Sequence, residues 1–271
     1  MLITESTLRR IIKEELVKEG LLDAFAARFR RKPTTERPNE GDLALYRMDS
    51  GVGITYLIYN PQALLAAFSK MEDPEEEITA NPDPALMDRL TMKDGGFVGY
   101  IIVRSAQQVT GKPCIPQTYD VGFVGTWPMY RNKGFGELLY KLAAADMAKK
   151  KDAGLTSDRE TQTSTDAGKS WRKLKLSMVP RKTKAGNDRF DYDKSTPDPD
   201  DDCKLPGSPE NSIHQSLEIN PSEKGEYELI YKQMIANHKE FAAVVKSQFG
   251  AERNIVDRFI RSGRDAGRIS Q

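Results

Sequence analysis

At 271 residues the chain has room for one large domain or for one domain with appendages, and 30% charged against 38% hydrophobic residues reads as soluble and rather polar. A formal net charge of +1 supplies no global field for nucleic acid, and no run of about 18 apolar residues exists to span a membrane. Charges spread through the first 20 residues exclude a secretory signal, and two distant cysteines, Cys114 and Cys203, form no metal or redox motif and predict two free thiols in a reducing compartment.

Residues 4–19 predict a helix, capped by Thr4 or Ser6, with Leu8, Ile11, Ile12 and Leu16 in one stripe. A second helical piece, LLDAFAARF, ends in Arg28, Arg30, Arg31 and Lys32, and Pro33 and Pro38 mark a linker. LALYRM and ITYLIY, separated by Asp49–Gly53, form a hairpin signal, and Pro61 begins the helix PQALLAAFSKM. The acidic segment 72–86 reads as a surface loop, Ala85 to Leu90 as a helical turn, FVGYIIVRSA as a strong strand, and 107–117 as a longer turn.

Thr118 to Lys150 is the most structured signal. Tyr119, Val121, Phe123 and Val124 are strand formers with glycines between them, bounded by Pro128. Leu138, Leu139, Leu142, Ala145 and Met147 make the apolar face of a helix, with Lys141, Asp146, Lys149 and Lys150 turned away from it. Between strand and helix sits Arg131-Asn132-Lys133-Gly134-Phe135-Gly136. The glycines permit close backbone approach and unusual dihedrals. The first amides of a helix lack internal partners, and its dipole adds about half a positive charge there, so with Arg131 and Lys133 the loop suits a phosphate or pyrophosphate. A glycine-bearing turn merely set against a sheet, with Arg131 solvated, fits the same residues.

Gly154 reads as the C-cap that ends this helix, Leu155-Thr156-Ser157 as a short strand, and Ser164 or Thr165 as the cap of the helix TDAGKSWRKLK. Residues 169–184 hold seven Lys or Arg and no acid, and seven aspartates follow between Asp188 and Asp202. Their spacing lacks the glycine and terminal Glu of a calcium loop and predicts a solvated acidic segment. From Glu223 to Arg268 three stripes, Tyr227 to Ile235, Phe241 to Phe249 and Ile255 to Ile260, predict helices packed on the sheet. His214 and His238 are isolated, and His238, beside Lys239 and Glu240, is expected at the surface.

The pattern Arg131-x-x-Gly134-x-Gly136, led in by Pro128-x-Tyr130, resembles the acyl-CoA pyrophosphate loop of the GNAT acetyltransferase superfamily. It differs from a P-loop, which needs Lys-Ser/Thr after the last glycine, and is one glycine short of a dinucleotide fingerprint. The order of strands and helices over residues 42–180 is similar to that family's. The resemblance implies an α/β (α+β) fold with a mixed central sheet, flanked by helices, whose parallel fourth and fifth strands (119–127 and 154–158) splay apart, plus N- and C-terminal helical extensions. The last two strands of the family fall to LSMV (176–179) and SLEI (216–219), or the sheet is truncated. The parts would then be a helical extension and linker (1–38), the acyltransferase domain (39–180), an acidic loop (181–222) and a helical segment (223–271).

The resemblance also implies function: an N-acetyltransferase with acetyl-CoA as co-substrate and an amine acceptor that the sequence does not identify. Pyrophosphate contacts fall to Arg131, Asn132, Lys133, Gly134, Phe135 and Gly136, and pantetheine contacts to the backbone of Gly125 and Thr126. The family's acid, a Tyr four residues after an Ala, is here Trp171, whose indole is no usable acid, so Ser170 or a water substitutes or catalysis is impaired. Asp158 leads as base or acceptor contact and Asp120 follows; a salt bridge to Arg159 or a loop cap explains Asp158 equally. The opening MLITESTLRRIIKEEL, the tripeptide Ile12-Lys13-Glu14, and the segments GFGELLY, LTSDR and STDAGKSW resemble phage proteins, some of them GNAT-like and some carried in the capsid. They imply a host-cytoplasmic or virion location, with capsid proteins as partners of the terminal helices on a non-catalytic scaffold as the alternative to the enzyme.

Overall fold

A computed structural model describes residues 39–51, 53–79, 87, 93–106, 117–149, 153–159, 164–181, 203–204, 212–249 and 256–262. The expected N-terminal helices, the turn over 107–117 except its last residue, and the run of aspartates lie outside these residues. The strands are β1 (Ala44–Asp49), β2 (Ile54–Tyr59), β3 (Phe97–Ser105), β4 (Thr118–Thr126), β5 (Gly154–Ser157), β6 (Met178–Pro180) and β7 (Leu217–Ile219). They form one sheet in the order β1-β2-β3-β4-β5-β7-β6. β3 and β4 run antiparallel, β4 and β5 parallel, and β5, β7 and β6 antiparallel. The described helices are α1 (Pro61–Phe68), α2 (Pro74–Thr79), α3 (Phe135–Met147), α4 (Thr165–Ser177), α5 (Pro221–Phe249) and α6 (256–262). The class is therefore mixed α/β, a seven-stranded mixed sheet flanked by helices.

Two compact units divide the described chain. The first takes the residues within Met1–Ala44, Tyr59–Phe97 and Ala236–Gln271. It is organised around aromatic rings. Phe68 meets Phe259 at 4.8 Å and Phe241 at 6.1 Å, and Tyr59 meets Phe241 at 5.4 Å, each pair edge to face. Asn60 caps α1 through the amides of Gln62 and Ala63, and Pro61 fills the first helical position, where no N–H is missed. Asn237 donates from Nδ2 to the carbonyls of Gly41 and Leu43, at 2.8 and 2.7 Å. His238 corrects the surface expectation: it is buried, with Nδ1 2.9 Å from the Tyr59 hydroxyl and Nε2 3.8 Å from Asp257.

The second unit takes Leu45–Ile58 and Val98–Ile235, and so the sheet apart from a few strand-end residues, with α3 and α4. α3 is enclosed on nearly every face, and this corrects its expected polar stripe: Lys141 and Asp146 are buried. Lys141 donates to Glu223 at 2.9 Å and to the Tyr227 hydroxyl at 3.3 Å, both on α5, and pairs with Glu137 at 3.1 Å. Asp146 accepts from Tyr56 at 2.7 Å, Arg47 at 2.9 Å and Lys149 at 3.1 Å. Burial alone would raise its carboxyl pKa; those donors outweigh burial and hold it below the ordinary value. Charges at these positions are stable inside only because they are paired.

Three smaller expectations change. α3 ends at Met147 with Ala148 as its cap, and Gly154 opens β5 instead of closing the helix. The segment expected as a loop over 72–86 contains α2, where Asp73 accepts from the amide of Glu76 and Glu77 accepts from the amides of Glu72 and Asp73. Cys203 is disulfide-bonded, in place of the free thiol expected; the chain's other cysteine is Cys114.

Candidate functional site

The loop from β4 to α3 is built by its own aromatic residues. Pro128–Tyr130 form one turn of 3₁₀ helix, in which the amide of Tyr130 donates to Trp127 at 2.8 Å. Tyr130 and Phe135 are buried edge to face at 5.4 Å and anchor both ends of the Arg131–Gly134 turn. Asn132 has φ 60 and Gly134 φ 84, left-handed conformations that asparagine tolerates and glycine adopts freely. Gly134 is the N-cap of α3, and no side chain caps the helix. Arg131, Asn132 and Gly134 are exposed, Lys133 and Gly136 half-buried, and a Cβ on Gly136 would meet nothing within 4 Å. A helix N-terminus left without a side-chain cap, beside two cationic residues, attracts an anion.

β4 leads into this loop, and its pairing with parallel β5 stops partway along it, at a point termed the parting. β4 and β5 pair over Thr118↔Gly154, Tyr119↔Leu155, Asp120↔Thr156 and Val121↔Ser157. β5 then ends, while β4 continues through Gly122–Thr126 with β3 as its strand partner. At about 3.3 Å per residue, the one-sided stretch is roughly 16 Å long. The parting coincides with a bulge: Ile102 pairs with Phe123 and Val103 with Val121, so Gly122 is the extra residue. Gly125 and Thr126 lie at the far end, half-buried, and the Thr126 carbonyl accepts a long hydrogen bond, 3.4 Å, from Arg131 Nε.

The two candidate carboxylates meet at the base of the parting, both held by Arg104. Asp120 is fully buried and accepts from Arg104 Nε at 3.1 Å and Nη2 at 3.0 Å, and from the Arg159 amide at 3.4 Å. Asp158 accepts from the same Nη2 at 3.2 Å. Its ion pair is thus with Arg104. The Arg159 guanidinium turns instead to the carbonyls of Cys203 and Ala106, both at 2.8 Å. Burial raises the Asp120 pKa, the Arg104 charge and hydrogen bonds oppose it, and the Asp158 charge adds to the rise.

Ser170 donates to the Asp166 carbonyl at 3.1 Å, one turn back on α4. Trp171 is buried edge to face against Tyr140 of α3, with ring centroids 4.9 Å apart. The Tyr140 hydroxyl is buried without a hydrogen-bond partner. The structure therefore brings Asp120 and Asp158 together at Arg104, sets Arg131 against the Thr126 carbonyl, and turns Ser170 into its own helix. Sequence reasoning missed Arg104. Its one signal is a lone charge closing an apolar strand, matched by the lone Asp120 in the next.

In comparisons with protein-family models, with curated proteins and with solved structures, the chain finds no match.

Proposed function

We propose that the chain is an acyl-CoA-dependent N-acetyltransferase of the GNAT type, with acetyl-CoA as co-substrate and an amine as acceptor. The observation that carries this reading is a parallel β4–β5 pairing that stops at Val121↔Ser157, in a strand that runs on to a helix starting at exposed Gly134 without a side-chain cap. The element order and the parallel pair agree with what the resemblance implies, and support it further.

The diphosphate would lie on the amides of Gly134, Phe135 and Gly136, with Arg131, Asn132 and Lys133 at its rim; Phe135 offers only its backbone, since its ring is buried. The one-sided edge of β4, ending at Gly125 and Thr126, would hold the extended arm. The thioester supplies an activated acyl group. The amine nitrogen forms the new C–N bond as the C–S bond breaks, the amine gives up a proton and the thiolate gains one. Asp158 takes the amine proton in this reading, Asp120 being enclosed beneath Arg104, and the thiolate draws its proton from water.

Calorimetric titration with acetyl-CoA tests the reading. Saturable binding below about 1 mM, lost in Gly136→Asp, is the expected result. No heat in the folded protein would reject it. A second reading, a virion-associated scaffold without catalysis, is favoured by two observations: Trp171 stands buried at the tyrosine position, and both carboxylates are bound to Arg104. Its test is detection of the chain in purified phage particles.

A further inference from the structure

We propose that Arg104 is the positioning residue that sets where β4 and β5 stop pairing, and so shapes the groove for the acyl arm; this rests on the acyl-CoA reading above. Three observations converge on its guanidinium. The last rung between the strands is Val121↔Ser157, and Arg104 bonds a carboxylate on each side of it: Asp120 one residue before on β4, Asp158 one residue past the end of β5. The next rung would set Gly122 against Asp158, and that rung is not formed. Gly122 is the bulge, and a Cβ there would lie 2.8 Å from Arg104 Nε and 2.9 Å from Cζ and Nη2. The guanidinium thus lies directly over the residue where β4 departs from its register.

The chemistry calls for arginine and glycine at these places. A planar fork binds Asp120 through two nitrogens and reaches Asp158 with one of them; a lysine keeps the charge and loses that geometry. The side chains of Arg104, Asp120 and Asp158 are 25%, 0% and 9% exposed, so salt screens the cluster weakly. Any side chain at Gly122 would displace the guanidinium. In this arrangement Asp120 orients Arg104, and Arg104 fixes where Asp158 stands.

The test compares two ligands: acetyl-CoA, which needs both loop and groove, and ADP, which offers the diphosphate without the arm. Arg104→Met and Gly122→Ala are expected to weaken acetyl-CoA at least about tenfold and to leave ADP within about twofold, with Arg104→Lys intermediate. Equal loss of both ligands, or loss of neither, in folded variants would overturn the proposal. Should Arg104→Met not fold, Gly122→Ala carries the test with every charge in place. If wild-type protein binds neither ligand, the acyl-CoA reading falls and amide exchange still tests the arginine's role. Arg104→Met is then expected to change exchange at Gly122, Phe123 and Asp158 about tenfold while α1 stays as it was, and an unchanged pattern at the parting would overturn it.

Discussion

Among the described residues, Thr118–Val121 of β4 have a strand on either side, whereas Gly122–Thr126 have β3 alone. The first half is mostly buried, the second half-exposed. Backbone N–H and C=O groups seek partners wherever they are enclosed, and an edge with a strand on one side only is where another chain or a ligand adds itself. The difference separates two surroundings along one strand: the two-sided half carries the buried ions, and the one-sided half leads to the glycine loop.

The sharpest way to break this comparison is to remove the ion at its base. Asp120→Ala strands the Arg104 guanidinium beside Asp158 and is expected to cost about 3 to 5 kcal/mol in chemical denaturation. Thr126→Ala, in the one-sided half, is expected to cost less than about 1 kcal/mol. The same contrast holds for apolar residues: Val121→Ala, buried, should lose about 2 kcal/mol, and Val124→Ala, half-exposed, about half of that or less. Equal costs in the two halves would contradict the division.

Two arginine-paired carboxylates sharpen it through pH. Burial raises Asp120 above its ordinary value of 3.8, whereas Tyr56, Arg47 and Lys149 hold Asp146 below its own value of 3.8. For Asp120 the folded form binds its proton more tightly than the unfolded one, so its contribution is full below 3.8 and is lost as pH rises through the raised value. For Asp146 the contribution is full above 3.8 and is lost as pH falls through the lowered value. Denaturation followed from about pH 2 to about pH 7 is expected to show a smaller acid-side fall in Asp146→Asn, and a smaller decline above 3.8 in Asp120→Asn. The smallest expected effect concerns Cys203. Alkylation of the unfolded chain should label its cysteines only after reduction, and labelling without reductant would contradict the disulfide.

Much of the fold was legible where local chemistry decides it. The β-branched and aromatic runs became β1 to β4, Ser164 caps α4 through the Ala167 amide, and LSMV and SLEI supply β6 and β7. What stayed hidden depends on partners distant in sequence. Lys141 reads as a surface charge until Glu223 and Tyr227 arrive from α5, and His238 until Tyr59 lies against it. The loop of the candidate site was visible in its glycines, and the pair Asp120 and Asp158 in its composition. Arg104 was not, because its meeting with Asp120 depends on the β3–β4 register, and no local signal fixes that register across the connection between them.

The account turns on a ligand lying along the one-sided half of β4 and ending on the first turn of α3. Backbone amide resonances recorded during an acetyl-CoA titration test this most directly. The expected result is perturbation of Phe123–Thr126 together with Gly134, Phe135 and Gly136, while the amides of α1 stay in place; a titration that leaves those two stretches unmoved would contradict it.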